Sequence, residues 1–90
     1  MKKLLLILNP RAGQRRANRY LPEIIRLYIE HGYLCETYVT GASGEATRFL
    51  AKCEERYDLV VCAGGDGTLN EVIAGMLAAK LDCPLGYIPC

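Results

Sequence analysis

An alternation of two patterns constrains this chain most. Lys2-Lys3-Leu4-Leu5-Leu6-Ile7-Leu8 is a short apolar run stopped by Asn9-Pro10. Such a run, bounded by a turn, reads as a buried strand of a parallel sheet. Asn9-Pro10-Arg11-Ala12-Gly13 is then a turn, in which proline fixes one φ and glycine frees another. From Gln14 to Glu30 the pattern changes: Ala17, Tyr20, Leu21, Ile24, Ile25 and Tyr28 recur at the three-four spacing of an amphipathic helix. Pro22 predicts a kink, or a helix whose regular part begins near Leu21, and Gly32 is a natural stop.

The alternation repeats. Tyr33 to Thr40 is rich in aromatic and β-branched residues and predicts a second strand. Gly41 to Gly44 is a loop with Ser43 as the expected N-cap, and Ala46, Phe49, Leu50 and Cys53 mark a second helix. Asp58 to Ala63 is a third strand, Gly64-Gly65-Asp66-Gly67-Thr68 a third turn, and Leu69, Val72, Ile73, Met76 and Leu77 one face of a third helix. Cys83 to Pro89 reads as a fourth strand. The order βαβαβαβ predicts an α/β fold of three layers, a parallel sheet with helices on both faces.

Composition narrows the classes. Net charge is +1 and 23% of residues are charged, so nothing in the total favours nucleic acid or an anionic membrane. The apolar run at the start is too short to span a bilayer or act as a signal peptide. Any membrane contact is therefore expected to be peripheral. Five cysteines (Cys35, Cys53, Cys62, Cys83, Cys90) stand singly among apolar neighbours. They read as reduced, mostly buried thiols, which favours a cytoplasmic setting. His31 has no cysteine at zinc-ligand spacing and is expected to be structural. The six tyrosines (Tyr20, Tyr28, Tyr33, Tyr38, Tyr57, Tyr87) are expected at core-face or strand positions.

In an open parallel sheet, ligands bind beyond the carboxyl ends of the strands. The turns at Asn9–Gly13 and Gly64–Thr68 fall at that edge, as does Thr40. A helix entered directly after a strand presents unpaired N–H groups and the positive end of its dipole. Three glycines let an anion approach closely, so phosphate is the natural guest, and Thr68 can donate its hydroxyl to it. Asp66 is the odd residue there, because a carboxylate beside phosphates needs a cation or a proton between them. It is a candidate for Mg²⁺ coordination, direct or through water, or for acid–base work. The same residues also make a tight turn with an Asp cap. Asn9 serves either as an Asx-type turn residue, as a brace for the phosphate turn or as a nucleotide contact. Arg11, Arg15 and Arg16 oppose the dipole of the first helix unless an anion lies near them.

Gly64-Gly65-Asp66-Gly67-Thr68-Leu69-Asn70-Glu71, with Asn9-Pro10-Arg11-Ala12-Gly13 after the first strand and Gly86-Tyr87-Ile88-Pro89 near the end, resembles the diacylglycerol kinase catalytic domain. The likeness is to the bacterial soluble lipid kinases and spans essentially the whole chain. It implies an ATP-dependent kinase that phosphorylates a lipid hydroxyl with Mg²⁺. It places the nucleotide contacts at Asn9, Pro10, Arg11, Ala12 and Gly13, at Thr40, and at Gly65, Asp66, Gly67, Thr68, Leu69, Asn70 and Glu71. Family members are about three times this length. The resemblance thus implies that residues 1–90 are the N-terminal part of a nucleotide-binding domain. The rest of that domain, a lipid-binding domain and the general base would lie outside this chain, which is expected to be inactive alone. G-G-D-G-T is shared with NAD kinases, so an NAD kinase-like enzyme is one alternative; a non-catalytic nucleotide-binding regulatory domain is another.

Overall fold

Lys2–Leu8 forms strand β1, and its four central residues Leu4 to Ile7 are buried. A strand with apolar residues at consecutive positions needs cover on both faces, and the fold supplies it. The computed structural model describes residues 1–10 and 14–89, and of residues 14–18 the backbone alone. After β1 come helix α1 (Gln14–Glu30), strand β2 (Tyr33–Val39), helix α2 (Glu45–Ala51), strand β3 (Leu59–Gly64), helix α3 (Asp66–Ala79) and strand β4 (Leu85–Pro89). The sheet runs β2-β1-β3-β4 with every pairing parallel. This is the expected α/β architecture.

Alternation of side chains across β1 and β3 divides the core into two layers. Leu4, Leu6, Val61 and Ala63 meet Leu21 of α1 on one face. Leu5, Ile7, Val60 and Cys62 meet Ala46 and Leu50 of α2 and Val72 and Met76 of α3 on the other. The chain moves one way across the sheet from β1 to β2 and the opposite way afterwards. Crossovers of one hand then require the helices to change face at that reversal.

Several local expectations need correction. Residues 14–30 form one helix with Pro22 inside it, so the regular part does not begin at Leu21. Pro22 is exposed, where water can take the carbonyl that its missing N–H leaves behind. The N-cap of α2 is Gly44, not Ser43, and Cys53 lies past the end of that helix. Strand β3 takes in Gly64, and α3 already begins at Asp66, so the third turn is shorter than five residues. The buried face of α3 is Thr68, Val72, Gly75 and Met76, whereas Ile73 and Leu77 are exposed. A small residue brings α3 close to its neighbour: a Cβ on Gly75 would stand 2.7 Å from Leu50 Cβ and 3.1 Å from the Thr47 backbone. Cys62 alone of the described cysteines is buried. Cys35, Cys53 and Cys83 are half-buried, on or near the sheet margins, and all four are free thiols; Cys90 lies outside the described residues. Tyr20 is exposed on α1 and Tyr87 stands on edge strand β4.

Candidate functional site

The order β2-β1-β3-β4 makes the boundary between β1 and β3 the place where outgoing connections diverge. One leads to α1 and β2, the other to α3 and β4. Divergence leaves a crevice at the carboxyl edge. A cleft of about 320 Å³ lies there, lined by Asn9, by Thr40 to Ser43 after β2, and by Gly65, Gly67, Thr68 and Glu71 of α3's start.

Backbone hydrogen bonds tie this rim together. Asn9 N–H donates to Ala63 O at 3.0 Å, and Thr40 N–H donates to Leu8 O at 2.8 Å. Thr40 is buried, and its hydroxyl donates to the same Leu8 carbonyl at 3.4 Å. Asn9 Nδ2 donates to Thr68 Oγ1 at 2.9 Å, closing the crevice between β1 and α3. Thr68 is 6% exposed and packs directly over the end of β3. That packing depends on Gly64, where a Cβ would lie 2.9 Å from both Cβ and Oγ1 of Thr68.

The N-cap of α3 is Gly65, which has no side chain to satisfy the first-turn amides. Its extended backbone (φ −92°, ψ −174°) leads straight from strand to helix. Uncapped N–H groups and the dipole then face the cleft through Gly67 and Thr68, a setting suited to an anion. Across the cleft, Glu45 organises the loop after β2. It accepts from Gly41 N–H at 3.1 Å and from the Tyr38 hydroxyl at 2.5 Å. These bonds, Tyr38's first, hold the Glu45 carboxyl below the usual carboxylate range, and the same contact pushes the Tyr38 phenol up.

Of the residues singled out from sequence, Asn9, Thr40, Gly65, Gly67, Thr68 and Glu71 line one cleft. Pro10 is exposed at its margin, and Arg11, Ala12 and Gly13 lie outside the described residues, as do the side chains of Arg15 and Arg16. Leu69 packs against the core and Asn70 is exposed; neither lines the cleft. Asp66 is exposed at the first residue of α3, outside the cleft lining. The Tyr87 hydroxyl donates to Asp66 Oδ1 at 3.4 Å, from the β4 side. Gly41, Ala42 and Ser43 line the cleft unanticipated; their signal was their place after β2, at the same sheet edge. His31 is structural, with Nδ1 2.8 Å from Leu27 O at the end of α1.

Among the described residues, no three His, Cys, Asp or Glu side chains assemble a metal site. Mg²⁺ does not require one, since it commonly binds through one or two carboxylates, water and substrate phosphates. Asp66, exposed at the first residue of α3, supplies one carboxylate near the cleft. No helix among the described residues is long and apolar enough to cross a membrane.

Comparison with known proteins agrees with this fold. A family model, the diacylglycerol kinase catalytic domain, matches residues 3–90. A diacylglycerol kinase of Bacillus subtilis is 34% identical over 90 residues, 99% of this chain and 30% of its own length. One from Staphylococcus saprophyticus is 41% identical over 98% of this chain and 29% of its own length. A crystal structure of a diacylglycerol kinase from Bacillus anthracis superposes with a TM-score of 0.79 at 30% identity, covering 98% of this chain and 32% of that one. The chain therefore spans about three tenths of the length of the relatives it matches.

Proposed function

Because this chain belongs to the diacylglycerol kinase catalytic domain family, we propose that it supplies the phosphate-binding side of an ATP-dependent lipid kinase. The observation that carries this reading is the convergence of Asn9, Thr40 and the Gly65–Thr68 entry of α3 on one cleft at the sheet's switch point. The first-turn amides of α3 and the Thr68 hydroxyl hold the nucleotide's phosphate oxygens, with Asn9 beside Thr68 and Thr40 on the β2 side of the cleft. Asp66 would hold Mg²⁺, directly or through water, and the cation would supply charge neutralisation for phosphoryl transfer. That assignment removes the repulsion a bare carboxylate would meet beside phosphates.

Phosphoryl transfer is governed by positioning and electrostatics, so half a site binds without catalysing. The acceptor lipid and the base that takes its hydroxyl proton belong to chain beyond these 90 residues. Free thiols at the four described cysteines accord with a reducing, cytoplasmic setting.

The test is incubation of the whole protein with ATP, Mg²⁺ and a panel of hydroxylated lipids, diacylglycerol among them. Phosphorylated lipid is expected, with Asp66→Ala lowering the rate at least about 100-fold, in the range seen when a transition-state electrostatic partner is removed. Full activity in that variant would remove Asp66 from the mechanism. The isolated 90-residue chain is expected to show no turnover, and any turnover would overturn the division of labour proposed above.

A further inference from the structure

We propose that Asn9 is a positioning residue that acts through Thr68, by committing the threonine's one hydroxyl proton to the ligand. The proposal rests on the nucleotide-binding reading above and assigns a function to a contact within that site. A threonine hydroxyl has one proton to give and lone pairs to receive. Asn9 Nδ2 fills the receiving side at 2.9 Å. An amide N–H can only donate, so the hydroxyl proton is directed elsewhere. Thr68 is 6% exposed, and what remains open to it is the cleft it lines.

Three neighbours hold the pair in register. Asn9 is fixed to β3 by its own N–H bond to Ala63 O at 3.0 Å. Thr68 lies in the first turn of α3, whose dipole favours an oxygen anion at that point. Gly64 leaves the space Thr68 occupies. The result is a side-chain donor of fixed direction beside the uncapped amides. Its partner is a phosphate oxygen, an acceptor with no proton to offer in return.

The two residues are then coupled, and a double-mutant cycle on ATP·Mg²⁺ affinity in the whole protein reads the coupling. Thr68→Val removes the hydroxyl at nearly constant shape and is expected to weaken binding roughly 10- to 100-fold, as for a hydrogen bond to a charged group. Asn9→Ala is expected to weaken binding in the wild-type background but to add little once Thr68 is valine. Asn9→Asp takes the proton instead of giving one, and is expected to cost at least as much as Thr68→Val. Thr68→Ser keeps the hydroxyl and is expected to restore most of the affinity.

Equal losses from Asn9→Ala in both backgrounds would overturn the proposal, because a brace or a direct ligand contact acts independently of the hydroxyl. So would a Thr68→Val variant that binds as wild type, since the amide oxygen would then be accepting the proton. Failure of the wild-type protein to bind ATP at all is a different result: it overturns the nucleotide reading and the coupling with it. Thermal midpoints of the same variants separate a folding defect from loss of the donor, and Asn9→Asp, similar in size to asparagine, keeps the test decisive if Asn9→Ala unfolds.

Discussion

Both ends of the sheet carry polar residues and do opposite things with them. At the amino edge, Lys3 Nζ lies 2.5 Å from Glu55 Oε2 and 3.8 Å from Glu36 Oε1, and 5.3 Å from the centre of the Tyr57 ring. The backbone N–H of Lys3 donates to Asp58 Oδ2 at 2.7 Å, and Asp58 N–H returns a bond to Lys3 O at 2.8 Å. Charge there is answered by charge. At the carboxyl edge, backbone amides, the buried Thr40 and Thr68, Asn9 and Glu71 are arranged around a cleft. Polarity alone does not mark a site; here the first turn of α3, with no side-chain cap, opens on a cleft.

The contrast is broken most severely by adding one carbon. Gly64→Ala sets a Cβ 2.9 Å from the Cβ and Oγ1 of Thr68, so the first turn of α3 has to move. The expected result is a loss of about 1–3 kcal/mol of stability, as for overpacking elsewhere, together with loss of ATP binding. Gly75→Ala is the control. Its Cβ would lie 2.7 Å from Leu50 Cβ, between α2 and α3 and away from the cleft lining. It is expected to cost a similar 1–3 kcal/mol by urea denaturation and to leave ATP affinity within about threefold, a difference below ~1 kcal/mol. If both variants lost affinity alike, the cleft would be responding to global stability and not to Thr68.

Those two glycines also show how much was readable beforehand. Strands, helices and their order followed from periodicity, because burial on both faces of β1 leaves a continuous apolar run and a one-sided helix leaves a stripe. The rim followed from topology, which puts every βα turn at one edge. Less legible was anything decided by contact between distant segments. Ile73 and Leu77 share helical spacing with Val72 and Met76, yet the close approach at Gly75 turns α3 so that they are exposed. Ser43 was a reasonable cap by type, but Gly44 takes the cap position and the Glu45 N–H donates to Ala42 O at 3.2 Å instead. The Asn9–Thr68 bond spans 59 positions and depends on strand order, which sequence periodicity does not encode.

A smaller effect sharpens the carboxyl edge itself. Glu45 has its folded pKa lowered, so its stabilisation is fully present above the unfolded value and is lost as pH falls through the folded one. Glu45→Gln is expected to flatten the acid limb of a stability–pH profile between those two values. The variant also loosens the loop at Gly41 to Ser43, so ATP binding should weaken modestly at neutral pH. An unchanged acid limb would mean that the Tyr38 and Gly41 bonds do not persist in solution.

The smallest effect is expected at the amino edge. Lys3 has its folded pKa raised above the ordinary 10.5, chiefly by its hydrogen bond to Glu55. The sign is opposite to that of Glu45: the contribution is present below the unfolded pKa and fades as pH rises through the folded one. Glu55→Gln removes the leading cause, so the alkaline loss of stability that Lys3 contributes should flatten. Exposed pairs of this kind contribute little at neutral pH because solvent screens them. ATP affinity should be unaffected, since this cluster lies at the end of the sheet opposite the cleft. A measurable change in affinity would mean that the two edges communicate through β1, which carries Lys3 near its start and ends at Leu8, just before Asn9.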